Sequence, residues 1–259
     1  MLEARGGSPH WELAVKSVKR LGILGGMSWA SSLKYYELIN LEILKLTESA
    51  RSADIVMWSF DTTIIEPLIA VGDWQAIGRK LQEATDKLVL CGAEGIIIAS
   101  NTIHEVVDRK LLKLPVPFLD IRDSLLDELR DRAIGRVGLL GTSSAMGGEL
   151  WRKLTDGSAG IEVVLPPQTL WSAIDDMIFN SLCRGECSPR DLELARQIFD
   201  LFAEQGLRHV VLGCTELGLL PVETPGIAVL DTTAIHARDA SRWSAAPVLA
   251  GTQPVLSAS

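Results

Sequence analysis

Short aliphatic runs recur along the chain, each ending at glycine or a small polar residue and each followed by a stretch with apolar residues at helical spacing. Val18–Leu24, Ile55–Ser59, Gly95–Ala99 and Val116–Leu119 read as strands, and so do Arg136–Leu140, Ile161–Leu165, His209–Leu212 and Gly226–Leu230. Runs this short, rich in β-branched residues and bounded by turn formers, fit buried strands. Trp74–Ala93 and Asp191–Gln205 instead put apolar residues on one helical face and charges on the other. Strand–helix alternation predicts an α/β fold built on parallel sheets with helices on both sides.

The pattern occurs twice. Leu21-Gly22-Ile23-Leu24-Gly25 returns as Val137-Gly138-Leu139-Leu140-Gly141, offset by 116 residues. Gly92 to Thr102 returns as Gly206 to Glu216 at an offset of 114, and Phe118-Leu119-Asp120 as Val229-Leu230-Asp231 at 111. Landmarks that keep order and register argue for two copies of one unit. The organisation expected is a tail (1–17), a first lobe (18–120), a crossing between 121 and 135, a second lobe (136–230), a closing helix (231–243) that packs back on the first lobe, and a second tail (244–259). The result is two pseudo-symmetric lobes, each a parallel sheet flanked by helices. In such sheets ligands bind at the carboxyl ends of the strands, where Gly25-Gly26, Ser59, Ser100, Gly141-Thr142 and Cys214 all fall.

Composition narrows the partners. A net charge of −8 with no Lys/Arg-rich run offers no footprint for nucleic acid or an anionic membrane. No apolar run approaches the ~20 residues of a membrane helix. The first ten residues lack the apolar stretch of a secretory signal, and four cysteines in 259 residues do not make a disulfide framework. A cytoplasmic protein acting on a small molecule is expected. Cys183 and Cys187 form a close pair with no second pair to complete a zinc site, so no metal is expected. Neither glycine-rich turn is a phosphate or dinucleotide fingerprint, so no nucleotide cofactor is expected.

The reactive position is Cys214. A thiol between a strand end and a helix start meets free N–H groups and the positive end of the helix dipole, which predicts a lowered pKa and a usable thiolate. Its counterpart in the other copy is Ser100, so a twofold arrangement aims a thiol and a hydroxyl at opposite faces of one ligand. Two such groups flanking one carbon suit removal of a proton from one face and its return to the other. His104 and His236 are expected to fix loops through backbone hydrogen bonds, and Asp120 and Asp231 to cap helices.

At these residues the chain resembles the aspartate/glutamate racemase superfamily. Leu24-Gly25-Gly26-Met27-Ser28-Trp29 with Tyr35-Tyr36 and Ile39-Asn40 is similar to the opening signature of its aspartate racemase branch. Ser100-Asn101-Thr102-Ile103-His104 and Gly213-Cys214-Thr215-Glu216-Leu217-Gly218 resemble the two catalytic turns, and Asp231-Thr232-Thr233-Ala234-Ile235-His236 the closing segment. The resemblance implies a cofactor-independent racemase acting on aspartate, glutamate or a broader set of amino acids, with its site between the lobes and commonly a homodimer. It implies Cys214 and Ser100 as the catalytic pair and Met27, Ser59, Asn101, Thr102, Thr215, Glu216 and Arg51 as substrate contacts.

Usual two-base members carry cysteine in both turns, and Ser100 departs from that. An alcohol is a far weaker acid than a thiol, so proton transfer at Ser100, or at a water it holds, is expected to be the slower step and the two directions unequal. A lone catalytic thiol also suits an arylmalonate-type decarboxylase of the same superfamily, and loss of the first cysteine suits a non-catalytic amino-acid-binding relative.

Overall fold

The computed structural model describes residues 18–246 apart from 49, 149, 152–153, 155–158 and 222–223. The expected tail at 1–17 and most of that at 244–259 lie outside the described residues. Strands β1 (Leu21–Gly25), β2 (Ile55–Ser59) and β3 (Gly95–Ile98) form a parallel sheet in the order β2-β1-β3. Strands β4 (Arg136–Leu140), β5 (Glu162–Val164), β6 (His209–Leu212) and β7 (Ala228–Asp231) form a second parallel sheet in the order β5-β4-β6-β7. The two orders superpose: β1 and β4 are each flanked by the next strand of their own copy on one side and by the strand carrying the reactive turn on the other.

One predicted strand is a single bridge. Val116–Leu119 pairs with β3 only at Ile96 and Phe118, through Ile96 N–H to the Pro117 carbonyl (2.9 Å) and Leu119 N–H to the Ile96 carbonyl (3.0 Å). Pro115 and Pro117 lack N–H groups, so a longer ladder cannot form there. Its counterpart 111 residues on, Val229, lies in β7, which pairs with β6 over four residues.

Helices α1 (Trp29–Thr47), α2 (Thr62–Ala70), α3 (Trp74–Leu90), α4 (Glu105–Asp108) and α5 (Ile121–Asp131) follow the strands of the first copy. In the second copy come α6 (Ser143–Gly147), α7 (Trp171–Asp176, continued by a π turn over Met177–Ser181), α8 (Pro189–Glu204) and α9 (Thr232–Ala245). Small polar side chains start all of these but α4 and α7. Ser188 and Asp191 close a capping box ahead of Pro189, which is why α8 begins two residues before the apolar period suggests. Asp120 and Asp231 cap α5 and α9, each accepting the backbone N–H two residues on.

Alternate residues of each central strand enter opposite cores. Leu24, Ile96 and Ile98 pack on Ile77, Leu81 and Leu88 of α3. Leu21, Ile23 and Ile97 pack on Tyr35, Ile39 and Ile43 of α1 together with Ala237 and Ala240 of α9. In the second lobe, Leu140, Val210 and Leu212 meet Ile198, Phe199 and Phe202 of α8, while Val137, Leu139 and Val211 meet Leu125 and Leu129 of α5. The terminal helix of each copy is therefore exchanged: α5 leaves the first sheet to cover the second, and α9 does the reverse. Gly95 makes room for this, since a Cβ there would lie 2.5 Å from the Trp243 ring. The closing helix runs through Ser244, whose hydroxyl donates to the Lys19 carbonyl at 2.6 Å, so Ser244 belongs to the fold rather than to a tail.

Candidate active site

The exchange of α5 and α9 holds the carboxyl ends of the two sheets against each other, and a cavity of about 440 Å³ opens between them. From the first lobe it is lined by Met27, Ser28 and Ser31 after β1, by Glu66, Ile69 and Ala70 of α2, and by Ala99 to Thr102 after β3. The second lobe contributes Thr142 and Ser144 after β4, Ile178 and Phe179 of the π turn, Cys183, and Gly213 to Glu216 after β6. Ser100 and Cys214, separated by 114 residues in the chain, thus line one cavity from opposite lobes.

Local sequence explains how the polar groups are held. Gly26 turns the chain with φ of +84°, and a Cβ there would sit 2.1 Å from Phe60 N, so only glycine fits. Ser28 then caps α1, accepting the Ser31 N–H at 3.4 Å. One turn into the helix, Ser31 Oγ lies 2.8 Å from Glu216 Oε1 and 2.6 Å from Thr215 Oγ1. Thr215 Oγ1 is in turn 2.7 Å from Glu216 Oε2. Two hydroxyl protons therefore serve three contacts, and Glu216 is the acceptor on which they converge.

Cys214 joins this network. Its Sγ donates to Glu216 Oε2 at 3.1 Å, and burial followed by the charge of Glu216 pushes the thiol well above its ordinary range. Burial also opposes ionisation of Glu216, but hydrogen bonds from Thr215, Cys214, Ser31 and Ser28 outweigh it and hold the carboxyl below its usual range. The site rests as thiol and carboxylate. This corrects the expectation of a thiolate stabilised by a helix start: the element after Cys214 is a single 3-10 stretch (Thr215–Leu219), too short for a dipole to outweigh a carboxylate within hydrogen-bond reach.

The opposite turn is anchored differently. His104 is fully buried, and its Nδ1–H donates to the Ser100 carbonyl at 2.8 Å. The Asn101 amide Nδ2 lies 3.5 Å from Thr232 Oγ1 at the start of α9, tying this turn to the end of the second copy. Ser100 itself is half-buried, and its hydroxyl has no protein partner among the described residues. His236 Nε2–H donates to the Leu119 carbonyl and its Nδ1 accepts from Tyr35 Oη, both at 2.8 Å. Burial, reinforced by the neighbouring His104, brings the His236 pKa down to about 3, and burial also lowers that of His104. Both imidazoles are neutral supports for the loops.

The sequence and the fold are matched among known proteins. The Asp/Glu/Hydantoin racemase model matches residues 24–240. The chain belongs to this family. A candidate Asp/Glu racemase of Yersinia pestis, 35% identical, superposes with a TM-score of 0.78 over 87% of this chain and 99% of that one. An aspartate racemase homologue from Pyrococcus horikoshii, 30% identical, does so with a TM-score of 0.70 over 85% and 96%. A glutamate racemase of Herpetosiphon aurantiacus is 29% identical over 169 residues, which are 62% of this chain and 64% of that protein. That match therefore spans just under two thirds of this relative's length.

Of the residues the sequence singles out, Met27, Ser100, Asn101, Thr102, Cys214, Thr215 and Glu216 all line the cavity. Ser59 does not. It ends β2 on the outer edge of the first sheet, in a separate surface depression with Trp58, Phe60 and Lys87. Arg51 lies in the segment between α1 and β2 and is not among the lining residues. Ser31, Glu66, Phe179 and Cys183 were not anticipated as lining residues. Spacing offers a signal for two of them: Ser31 stands three residues after the cap of α1, and Glu66 shares a helical face with Ile69 and Ala70.

Proposed function

We propose that this chain is an amino-acid racemase that works without a cofactor, with Cys214 and Ser100 acting on opposite faces of the substrate Cα. The observation that carries this reading is the convergence of one thiol and one hydroxyl from equivalent turns on one cavity whose rim is rich in N–H and hydroxyl donors. The N–H groups of Asn101, Thr102 and Thr215 are the natural site for the α-carboxylate, where negative charge grows as Cα loses its proton.

The resting thiol must first be deprotonated to act as a base. Glu216 is the acceptor at hand: its Oε2 takes the Cys214 proton, and the positive charge of the substrate α-ammonium offsets the cost of a buried thiolate. The thiolate then removes the α-proton, so that the Cα–H bond breaks and an S–H bond forms. The Ser100 hydroxyl, or a water it holds, delivers a proton to the other face; Glu216 then releases to solvent the proton it took, and solvent returns one to Ser100, which resets the site. In the opposite direction Ser100 or its water is the acceptor and the Cys214 thiol the donor. The homodimer implied by the family resemblance finds support in an exposed apolar stripe on α1, formed by Trp29, Leu33, Tyr36 and Leu44.

A second reading draws on the protonated state of Cys214. A decarboxylase of the arylmalonate type needs a single thiol that donates to one face of an enediolate after carbon dioxide leaves. Proton NMR in D2O separates the two. A racemase washes the α-proton out of an amino acid and produces its mirror image, whereas a decarboxylase leaves amino acids untouched and releases carbon dioxide from an arylmalonate.

A further inference from the structure

The charged residues lining the cavity are Glu66 and Glu216, and no lysine, arginine or histidine is among the described lining residues. Glu216 is committed to Ser31, Thr215 and Cys214. Glu66 is not: it stands on the exposed face of α2 and makes no hydrogen bond or ion pair with any described residue. Its field nonetheless crosses the cleft. The thiol of Cys183, on the opposite lobe, is pushed up to about 12 by burial and then by the charges of Glu216 and Glu66. Beside Glu66 the wall is apolar, with Ile69 and Ala70 on the same helix and Ile178 and Phe179 facing them from the π turn.

An acidic side chain would carry a third negative charge into this cleft and meet no cation among the described lining residues. A basic one would lay its methylene stem on Ile69, Ile178 and Phe179 and bring its cationic end to Glu66. We infer that the cleft is built for amino acids with a basic side chain, with Glu66 as the residue that selects them. The inference rests on the racemase reading and deepens it: the α-carboxylate and α-ammonium remain at the Ser100 and Cys214 turns, and selection occurs at α2.

The test compares α-proton exchange in D2O for L-lysine, L-norleucine and L-glutamate, the first two sharing a four-carbon side chain that in lysine carries a terminal ammonium in place of a hydrogen. The wild-type protein should prefer lysine over norleucine by about tenfold in kcat/KM, the scale of one charge-assisted hydrogen bond, and should turn over glutamate most slowly. Glu66→Gln should lower the lysine-to-norleucine ratio about tenfold. Glu66→Lys should raise glutamate relative to lysine, a gain that damaged folding could not produce. A wild-type preference for glutamate or norleucine, or ratios unmoved by both variants, overturns the inference and leaves a racemase of different specificity. Absence of exchange with all three amino acids overturns the inference, and the same result across a full panel of L- and D-amino acids overturns the racemase reading.

Discussion

After β3 the chain enters a turn held from behind by His104, a neutral, buried donor to the Ser100 carbonyl. After β6 the equivalent turn is held by Glu216, a buried carboxylate that accepts from the Cys214 thiol itself. One support fixes only the backbone, whereas the other also holds the proton of the Cys214 thiol. Duplication therefore gives the two faces of the cleft the same scaffold without the same chemistry. Among the described residues the Ser100 O–H has no base beside it, whereas the Cys214 S–H is paired with a carboxylate.

Removing the thiol gives the largest expected effect. Cys214→Ala should cut α-proton exchange by about 10³-fold or more, since general acid–base catalysis at one carbon is lost on that face. Glu216→Gln should follow at about 10²-fold. The variant has a second signature with a definite sign: because the Glu216 charge raises the thiol pKa, its removal should shift the pH midpoint of iodoacetamide alkylation downward. A midpoint that stays put would separate Glu216 from the thiol and remove the contrast between the turns.

Acid tests the other side of the comparison. His236 has a folded pKa of about 3 against about 6.5 when unfolded. Between those values the unfolded chain binds the extra proton, so stability is complete above the unfolded pKa and is lost as pH falls towards the folded one. Going from pH 7.5 to 5 should cost roughly 2 kcal/mol through this residue, read as a shift in the urea midpoint, and His236→Gln should flatten that dependence. Glu216, lowered from 4.5, loses its contribution only at more acid pH, as pH falls through its folded value. Acid sensitivity above pH 5 thus belongs to the imidazoles behind the Ser100 side.

Ser100→Cys should bring the two faces closer together. Enantiomers have equal free energy in water, so kcat/KM must be the same in both directions. The inequality expected from the sequence therefore has to appear in kcat and KM separately, and in how often an exchanged proton returns to its original face. With cysteine at 100, inversion per exchange event should rise about tenfold. Ser31→Ala should have the smallest effect, about 1 kcal/mol of stability from one lost hydrogen bond to Glu216, with a rise in KM of a few-fold.

Much of this arrangement was legible in the sequence. Period and turn residues locate the β1, β3, β4 and β6 strands to within a few residues, and the spacing of the repeat matches Ser100 with Cys214. What escaped depends on side chains that meet across space. The prolines at 115 and 117 cut a predicted strand to one bridge. The sign of the thiol pKa shift is not legible, because a cysteine at a helix start and a cysteine beside a buried carboxylate read alike in a string of letters, even though Glu216 is only two residues away. Glu66 and Phe179 reach the cleft from α2 and from a π turn, elements whose facing across the lobes no local pattern encodes.

The most direct measurement is the ratio of inversion to α-proton exchange, followed by NMR in D2O from each enantiomer of a turned-over amino acid. The account predicts that the enantiomer whose Cα–H faces Cys214 exchanges with retention faster than it inverts, because the S–H formed on Cys214 trades its proton for a deuteron through Glu216 and D2O, and the thiol returns that deuteron to its own face before Ser100 donates to the other. Equal exchange and inversion from both enantiomers, unchanged by Ser100→Cys, would contradict it and make the two turns chemical equivalents.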